Sequence, residues 1–122
     1  MAMNLIVDIG NTRAKAVVMC GLSEVARYVA ERASEEWLRG IVSEHHVDHA
    51  IVSSTRGDGA RVCAELRRVV GYVLHFVPAI TSIPLANSYA TPQTLGAARL
   101  AAAVGASALY PDSNLLIVDF GT

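Results

Sequence analysis

Four residue types suited to holding a phosphate fall within five positions near the start of this sequence: Asp8, Gly10, Asn11 and Thr12 of NLIVDIGNT. Glycine lets a backbone come close to an anion, and the N–H groups of a tight turn can point at phosphate oxygens. Asn11 and the Thr12 hydroxyl add donors. Lys15 adds positive charge if its side chain faces the same way. Asp8 would repel a phosphate directly, so its natural partner is Mg²⁺, held through water because that ion keeps much of its hydration. Gly-Asn is also common in ordinary hairpin turns, and one copy of the pattern leaves that plain reading ahead.

A second copy follows. NLLIVDFGT begins at Asn114 and again reads as an apolar strand ending in Asp, one apolar residue, Gly and a hydroxyl residue. Asp8 and Asp119 lie roughly 110 positions apart, about one domain length. Two copies favour a nucleotide clamp with one station from each half, the second formed by Asp119, Gly121 and Thr122. The repeat predicts a duplicated fold whose second copy has only begun. The alternative is a one-domain protein whose two ends are alike by chance.

The third stretch with chemistry in it is TPQTLGAARLAAAVGA, Thr91 to Ala106. It opens with turn residues, continues as small apolar ones, and carries one guanidinium, Arg99, next to Ala98. Arg99 is either an acid-recognition group or an arginine snorkelling from a helix shoulder. Tyr89, just upstream, suits binding and packing equally well.

The elements that position these residues can be read in order. Asn4 to Ile9 and Ala14 to Met19 are apolar runs that a Gly-Asn turn joins into a hairpin. Val25 to Ala30 adds a third strand. Ser34 is an N-cap, with Glu35 and Glu36 in the first turn of a helix running to about His45. Ala50 to Ser53 is a short strand. Asp58 to Val70 has helical spacing, with Val62, Leu66 and Val69 on one face. Tyr72 to Val77 is a strand, and Pro78 to Ala90 a loop. Thr91 or Thr94 caps a helix to about Leu109, with Pro92 in its first turn. This helix is apolar nearly all round and needs cover on more than one side. Leu115 to Asp119 is a last strand. An antiparallel opening followed by alternating helices and strands predicts an α/β domain with a mixed sheet.

The bulk properties bound the function. The 122 residues are 52% hydrophobic and 17% charged, which suits a globular chain with a real core. A net charge of −1 and a pI near 6.4 lack the basic footprint of nucleic-acid binding. The Arg67-Arg68 pair is isolated and reads as a solvated helix face. No apolar run reaches membrane-spanning length, and MAMNLIVDIG does not read as a signal peptide. Cys20 and Cys63 form no CxxC, and each reads as a small buried apolar residue. That fits a cytoplasmic location. HHVDH, His45 to His49, invites a metal reading but lacks a full ligand set and falls where a helix ends. STRGDG reads as a loop into an N-cap at Asp58 in preference to an anion nest. Trp37 and Leu38 read as core or helix-packing residues.

DIGNT, YATPQTLGAARLAA and VDFGT, in this order and spacing, resemble the type III pantothenate kinases, including the Bvg accessory factor-like members. The resemblance spans essentially the whole chain and the first half of the family's usual length. It implies a ribonuclease H-like α/β domain of the actin and sugar-kinase ATPase superfamily, a mixed sheet with flanking helices. Residues 1–90 would then be the first, nucleotide-phosphate domain. Residues 91–122 would be the connecting helix and first strand of a truncated second one. It also implies transfer of the ATP γ-phosphate to pantothenate, the first step of coenzyme A synthesis. Mg²⁺ and a monovalent cation, K⁺ or NH₄⁺, would assist, in a homodimer with no nucleic-acid or membrane partner.

By that resemblance, Asp8, Gly10, Asn11 and Thr12 match the first phosphate motif, with Lys15 beside it. Asp119, Gly121 and Thr122 match the second, and Asp8 and Asp119 are the metal carboxylates. Tyr89, Gly96 and Arg99 match the region that holds pantothenate, where Arg99 would meet a carboxylate. The family writes its central motif Gly-x-Asp-Arg, whereas this chain has Gly96-Ala97-Ala98-Arg99. Ala98 therefore stands at the position of the family's catalytic aspartate, and an alanine methyl accepts no proton. The chain alone is expected to be inactive. A non-catalytic nucleotide-binding regulatory relative, or a kinase for another small hydroxyl substrate, remains an alternative.

Overall fold

The computed structural model describes residues 1–78 and 80–120. The chain divides into two compact units, Met1–Phe76 and Val77–Thr122. The first unit contains the sheet. Strands β1 (Met3–Ile9), β2 (Ala14–Cys20) and β3 (Ser23–Ala30) form an antiparallel meander. β4 (His49–Ser54) pairs parallel to β1, and β5 (Tyr72–His75) parallel to β4. The order across the sheet is β3-β2-β1-β4-β5, the mixed sheet expected from the sequence.

Alternation along the strands decides which face is core. In β1, Leu5, Val7 and Ile9 are buried while Ile6 and Asp8 point the other way. Ala14, Ala16 and Val18 of β2 and Ala50 and Val52 of β4 join them on the inner face. Helices α1 (Glu35–His45) and α2 (Gly59–Arg67) supply Leu38, Ile41, Val42, Val62, Cys63 and Leu66 to the same core. Leu38 is thus a core residue, and Trp37 packs half-buried against it. Cys63 is buried, and burial pushes its thiol up, which makes it an inert small apolar group. Cys20 differs from expectation: it is only partly buried, because it lies at the far end of β2 beside the Gly21–Leu22 turn.

The helix ends obey local chemistry. Ser34 has extended backbone and its hydroxyl accepts the Trp37 N–H at 3.2 Å. His46 closes α1 in the left-handed region, φ 51°, and donates its N–H to the Val42 carbonyl. Asp58 occupies the N-cap position of α2, but its side chain does not cap the helix. Its carboxylate instead accepts the Ser54 hydroxyl at 2.5 Å and lies 3.4 Å from Arg61. Arg61 also reaches Glu65 at 2.9 Å and the Ala33 carbonyl at 3.1 Å.

The second unit departs from expectation in two places. Thr91 and Thr94 do not cap the long helix. Their hydroxyls bond to one another around a 3-10 turn, Pro92–Thr94, and the extended backbone of Leu95 separates that turn from the helix. Helix α3 runs Ala97–Leu109 with Gly96 at its N-cap, and only Ala97 and Leu100 are buried. Leu115 to Asp119 is not a strand. A strand needs a neighbouring backbone to take up its N–H and C=O groups, and among the described residues this segment has no ladder pairing. Leu116 and Phe120 are accordingly almost fully exposed. Among the described residues, no helix is long and apolar enough to cross a membrane.

Two outcomes test these ends. His46→Gly relieves a non-glycine residue of its left-handed backbone and should raise stability by about 0.5–1 kcal/mol in urea unfolding. Burial raises the Asp58 carboxyl, but the Ser54 hydroxyl, its own backbone and Arg61 together hold it below the ordinary 3.8. Ionised Asp58 therefore stabilises the fold above about pH 3.8, and that contribution is lost as pH falls through the lowered value. The stability gap between wild type and Asp58→Asn should shrink as urea unfolding is repeated at progressively lower pH.

Candidate functional site

The parallel pairing of β1 and β4 brings their carboxyl ends to one edge of the sheet, with Ile9 opposite Ser54. Loops leaving that edge are where ligands bind in open α/β sheets. The connection between β1 and β2 is Gly10–Arg13, two residues longer than a minimal Gly-Asn turn. The Gly10 N–H donates to the Arg13 carbonyl at 2.9 Å and closes it. Asn11 and Thr12 are exposed on it. An added Cβ at Gly10 would meet the Arg13 carbonyl oxygen at 3.7 Å, an ordinary van der Waals contact.

Asp8 is exposed at the end of β1. Its register partners are Lys15 on β2 and Ser53 on β4. Register partners share a face, so Lys15 does face the same side as Asp8. The first unit thus brings together Asp8, Gly10, Asn11, Thr12 and Lys15: one carboxylate, one ammonium and a donor-rich turn.

The loop after β4 contributes residues whose role the sequence did not disclose. The Thr55 N–H donates to the Ile9 carbonyl at 2.9 Å. The Thr55 hydroxyl lies 3.3 Å from the same carbonyl and 3.2 Å from Asn11 Oδ1. Arg56 donates through Nε to the Gly10 carbonyl at 2.5 Å and through Nη1 to the Glu31 carbonyl at 2.6 Å. Gly57 turns the chain with φ 82° and delivers it to Asp58. STRGDG is the expected loop into α2, and it also braces the β1–β2 turn. The available signal was topological: a strand parallel to β1 must release its loop beside the Gly10 turn.

In the second unit, Arg99 and Asp119 line one cavity of about 280 Å³ with Ala102, Ala103 and Ile117. Arg99 occupies the first turn of α3, where the helix dipole disfavours a cation. Its position is therefore not explained by helix stability. Ala98 is exposed beside it, and Gly96 is the N-cap. Tyr89 is half-exposed, and its N–H donates to Asn87 Oδ1. Gly121 and Thr122 lie outside the described residues.

HHVDH has other occupations. His45 Nε2 is 2.6 Å from the Tyr28 hydroxyl, and His46 closes α1. Asp48 accepts the Met3 N–H at 2.8 Å, and His49 Nδ1 lies 3.2 Å from Asn4 Oδ1. These contacts tie α1 to β3 and the start of β4 to β1. Among the described residues, no cluster of three or more His, Cys, Asp or Glu is placed to hold a metal.

The description of the type III pantothenate kinase family matches residues 4–122. A type III pantothenate kinase of Porphyromonas gingivalis (strain ATCC BAA-308 / W83) is 38% identical over 123 residues, covering 100% of this chain and 49% of that protein. One from Bacteroides fragilis (strain YCH46) is 37% identical over 120 residues, covering 98% and 49%. One from Flavobacterium johnsoniae is 34% identical over 125 residues, again covering 98% and 49%. The chain spans about half the length of the curated relatives it matches. A family match that spans residues 4–122 shows that the chain belongs to the type III pantothenate kinase family.

Proposed function

We propose that this chain is the first half of an ATP-dependent kinase that phosphorylates pantothenate, the first step of coenzyme A synthesis. The observation that carries the reading is the carboxyl edge of β1 and β4, where Asp8, Lys15 and the Gly10–Arg13 turn meet. These groups fit a magnesium-bound phosphate: an outward carboxylate for a hydrated cation, exposed amide and hydroxyl donors, and a turn without a side chain at Gly10. Bound Mg²⁺·ATP supplies the transferable phosphoryl group. Asp8 orients the hydrated cation, the turn takes up phosphate oxygens, and Lys15 offsets their charge. Arg99 pairs with the carboxylate of pantothenate, with Tyr89 and Gly96 beside it.

The finer architecture belongs to the same proposal. Residues 1–90 form a ribonuclease H-like domain of the actin and sugar-kinase superfamily. Residues 91–122 begin a second copy, in which Asp119, Gly121 and Thr122 form the second phosphate station. Mg²⁺, a monovalent cation such as K⁺ or NH₄⁺, a cytoplasmic location and a homodimer follow from the family resemblance.

Ala98 supports a second reading. A positioned carboxylate that accepts the proton of the attacking hydroxyl contributes about 10²–10⁴-fold to rate. A methyl group leaves nucleotide binding intact and removes that contribution, as a non-catalytic nucleotide-binding relative would. The two readings separate in the full-length protein that carries this chain. Ala98→Asp should raise kcat for pantothenate phosphorylation by about 10²–10⁴-fold, and Ala98→Asn should not. If Ala98→Asp binds nucleotide but transfers no phosphate to pantothenate, the kinase assignment fails.

A further inference from the structure

Resting on the reading of the β1–β2 turn as a phosphate station, we infer that Thr55 and Arg56 are its positioning residues. Neither needs to touch the ligand. Asn11 can offer an anion either its carbonyl oxygen or its NH₂ group, and only the NH₂ donates. The Thr55 hydroxyl has one proton and two acceptors in reach, Asn11 Oδ1 at 3.2 Å and the Ile9 carbonyl at 3.3 Å. The carbonyl already takes the Thr55 N–H, so the hydroxyl serves Asn11 Oδ1 and leaves the NH₂ as the free end of the amide. The Thr55 N–H, bonded to the Ile9 carbonyl at 2.9 Å, keeps that hydroxyl in register with the end of β1.

Arg56 fixes the other side of the turn. Its guanidinium fork spans two carbonyls on separate segments, Gly10 in the β1–β2 turn and Glu31 after β3. A lysine ammonium, a single point of donation, does not reproduce that planar fork. The third nitrogen, Nη2, is shielded from solvent and has no acceptor among the described residues. An unpaired shielded donor is unfavourable, so the two carbonyl bonds are what hold the side chain there. The guanidinium also leaves a fixed positive charge beside a turn that receives an anion.

The test uses the full-length protein that carries this chain and Mg²⁺·AMP-PNP as the probe in titration calorimetry. Thr55→Val keeps the shape of the side chain and deletes the hydroxyl. It should weaken binding about five- to tenfold, and Thr55→Ser should restore it. Arg56→Ala should weaken binding by at least as much, with Arg56→Lys recovering only a small part. Pantothenate affinity and melting temperature should stay near wild type in the Thr55 variants, which a merely structural role would not predict. Equal Mg²⁺·AMP-PNP affinity in wild type, Thr55→Val and Arg56→Ala would overturn the positioning role and leave the phosphate reading intact. Failure of Thr55→Ser to restore binding would overturn it as well. Absence of Mg²⁺·AMP-PNP binding by the wild type would overturn the phosphate reading itself, and the inference with it.

Discussion

Strand β1 carries two obligations at once, and the register that satisfies both governs the first unit. Leu5, Val7 and Ile9 must enter the core, while Asp8 between them must stay in water. Pairing on both sides, antiparallel to β2 and parallel to β4, fixes that alternation. A slip of one residue would bury the carboxylate and expose three large apolar side chains. The same register sets Lys15 opposite Asp8 and places the Gly10 turn at the sheet edge beside the loop after β4. Core formation and site formation are therefore one event in this strand.

Features set by local chemistry were legible in the sequence. The hairpin, the Ser34 cap, the acidic first turn of α1 and the breaks at His45 and Asp58 depend on residues within a turn of one another. The mixed sheet also followed, because an antiparallel opening before helix–strand alternation leaves few other arrangements. What stayed hidden depends on contacts distant in sequence. Thr55 meets Asn11 and Arg56 meets Glu31 only because β4 inserts beside β1, and no local pattern announces the pairing. Leu115 to Asp119 failed for the opposite reason. Its composition is strand-like, but a strand exists only with a partner. The start of α3 was misplaced because Thr91 and Thr94 have the right residue types, yet their hydroxyls serve a separate 3-10 turn.

The two parts of the candidate site offer different chemistry. In the first unit Asp8, Asn11, Thr12 and Lys15 are exposed around the Gly10 turn, and a second loop braces it. In the second unit Arg99 stands in the first turn of α3, a position that helix electrostatics does not favour, and Ala98 precedes it. Asp8, Asn11, Thr12, Lys15 and Arg99 carry charge or polar groups, whereas Ala98 offers only a methyl. On the proposed reading, binding and turnover are separable by a single side chain, at position 98.

The central claim is that the Gly10–Arg13 turn receives the phosphates of a nucleotide. Titration of the ¹⁵N-labelled full-length protein with Mg²⁺·AMP-PNP, followed by amide chemical shifts, tests it most directly. The account predicts saturable shifts in the first unit centred on Gly10, Asn11 and Thr12 and extending to Thr55. Shifts in this unit centred instead on His45 to His49, with the turn unmoved, would contradict it.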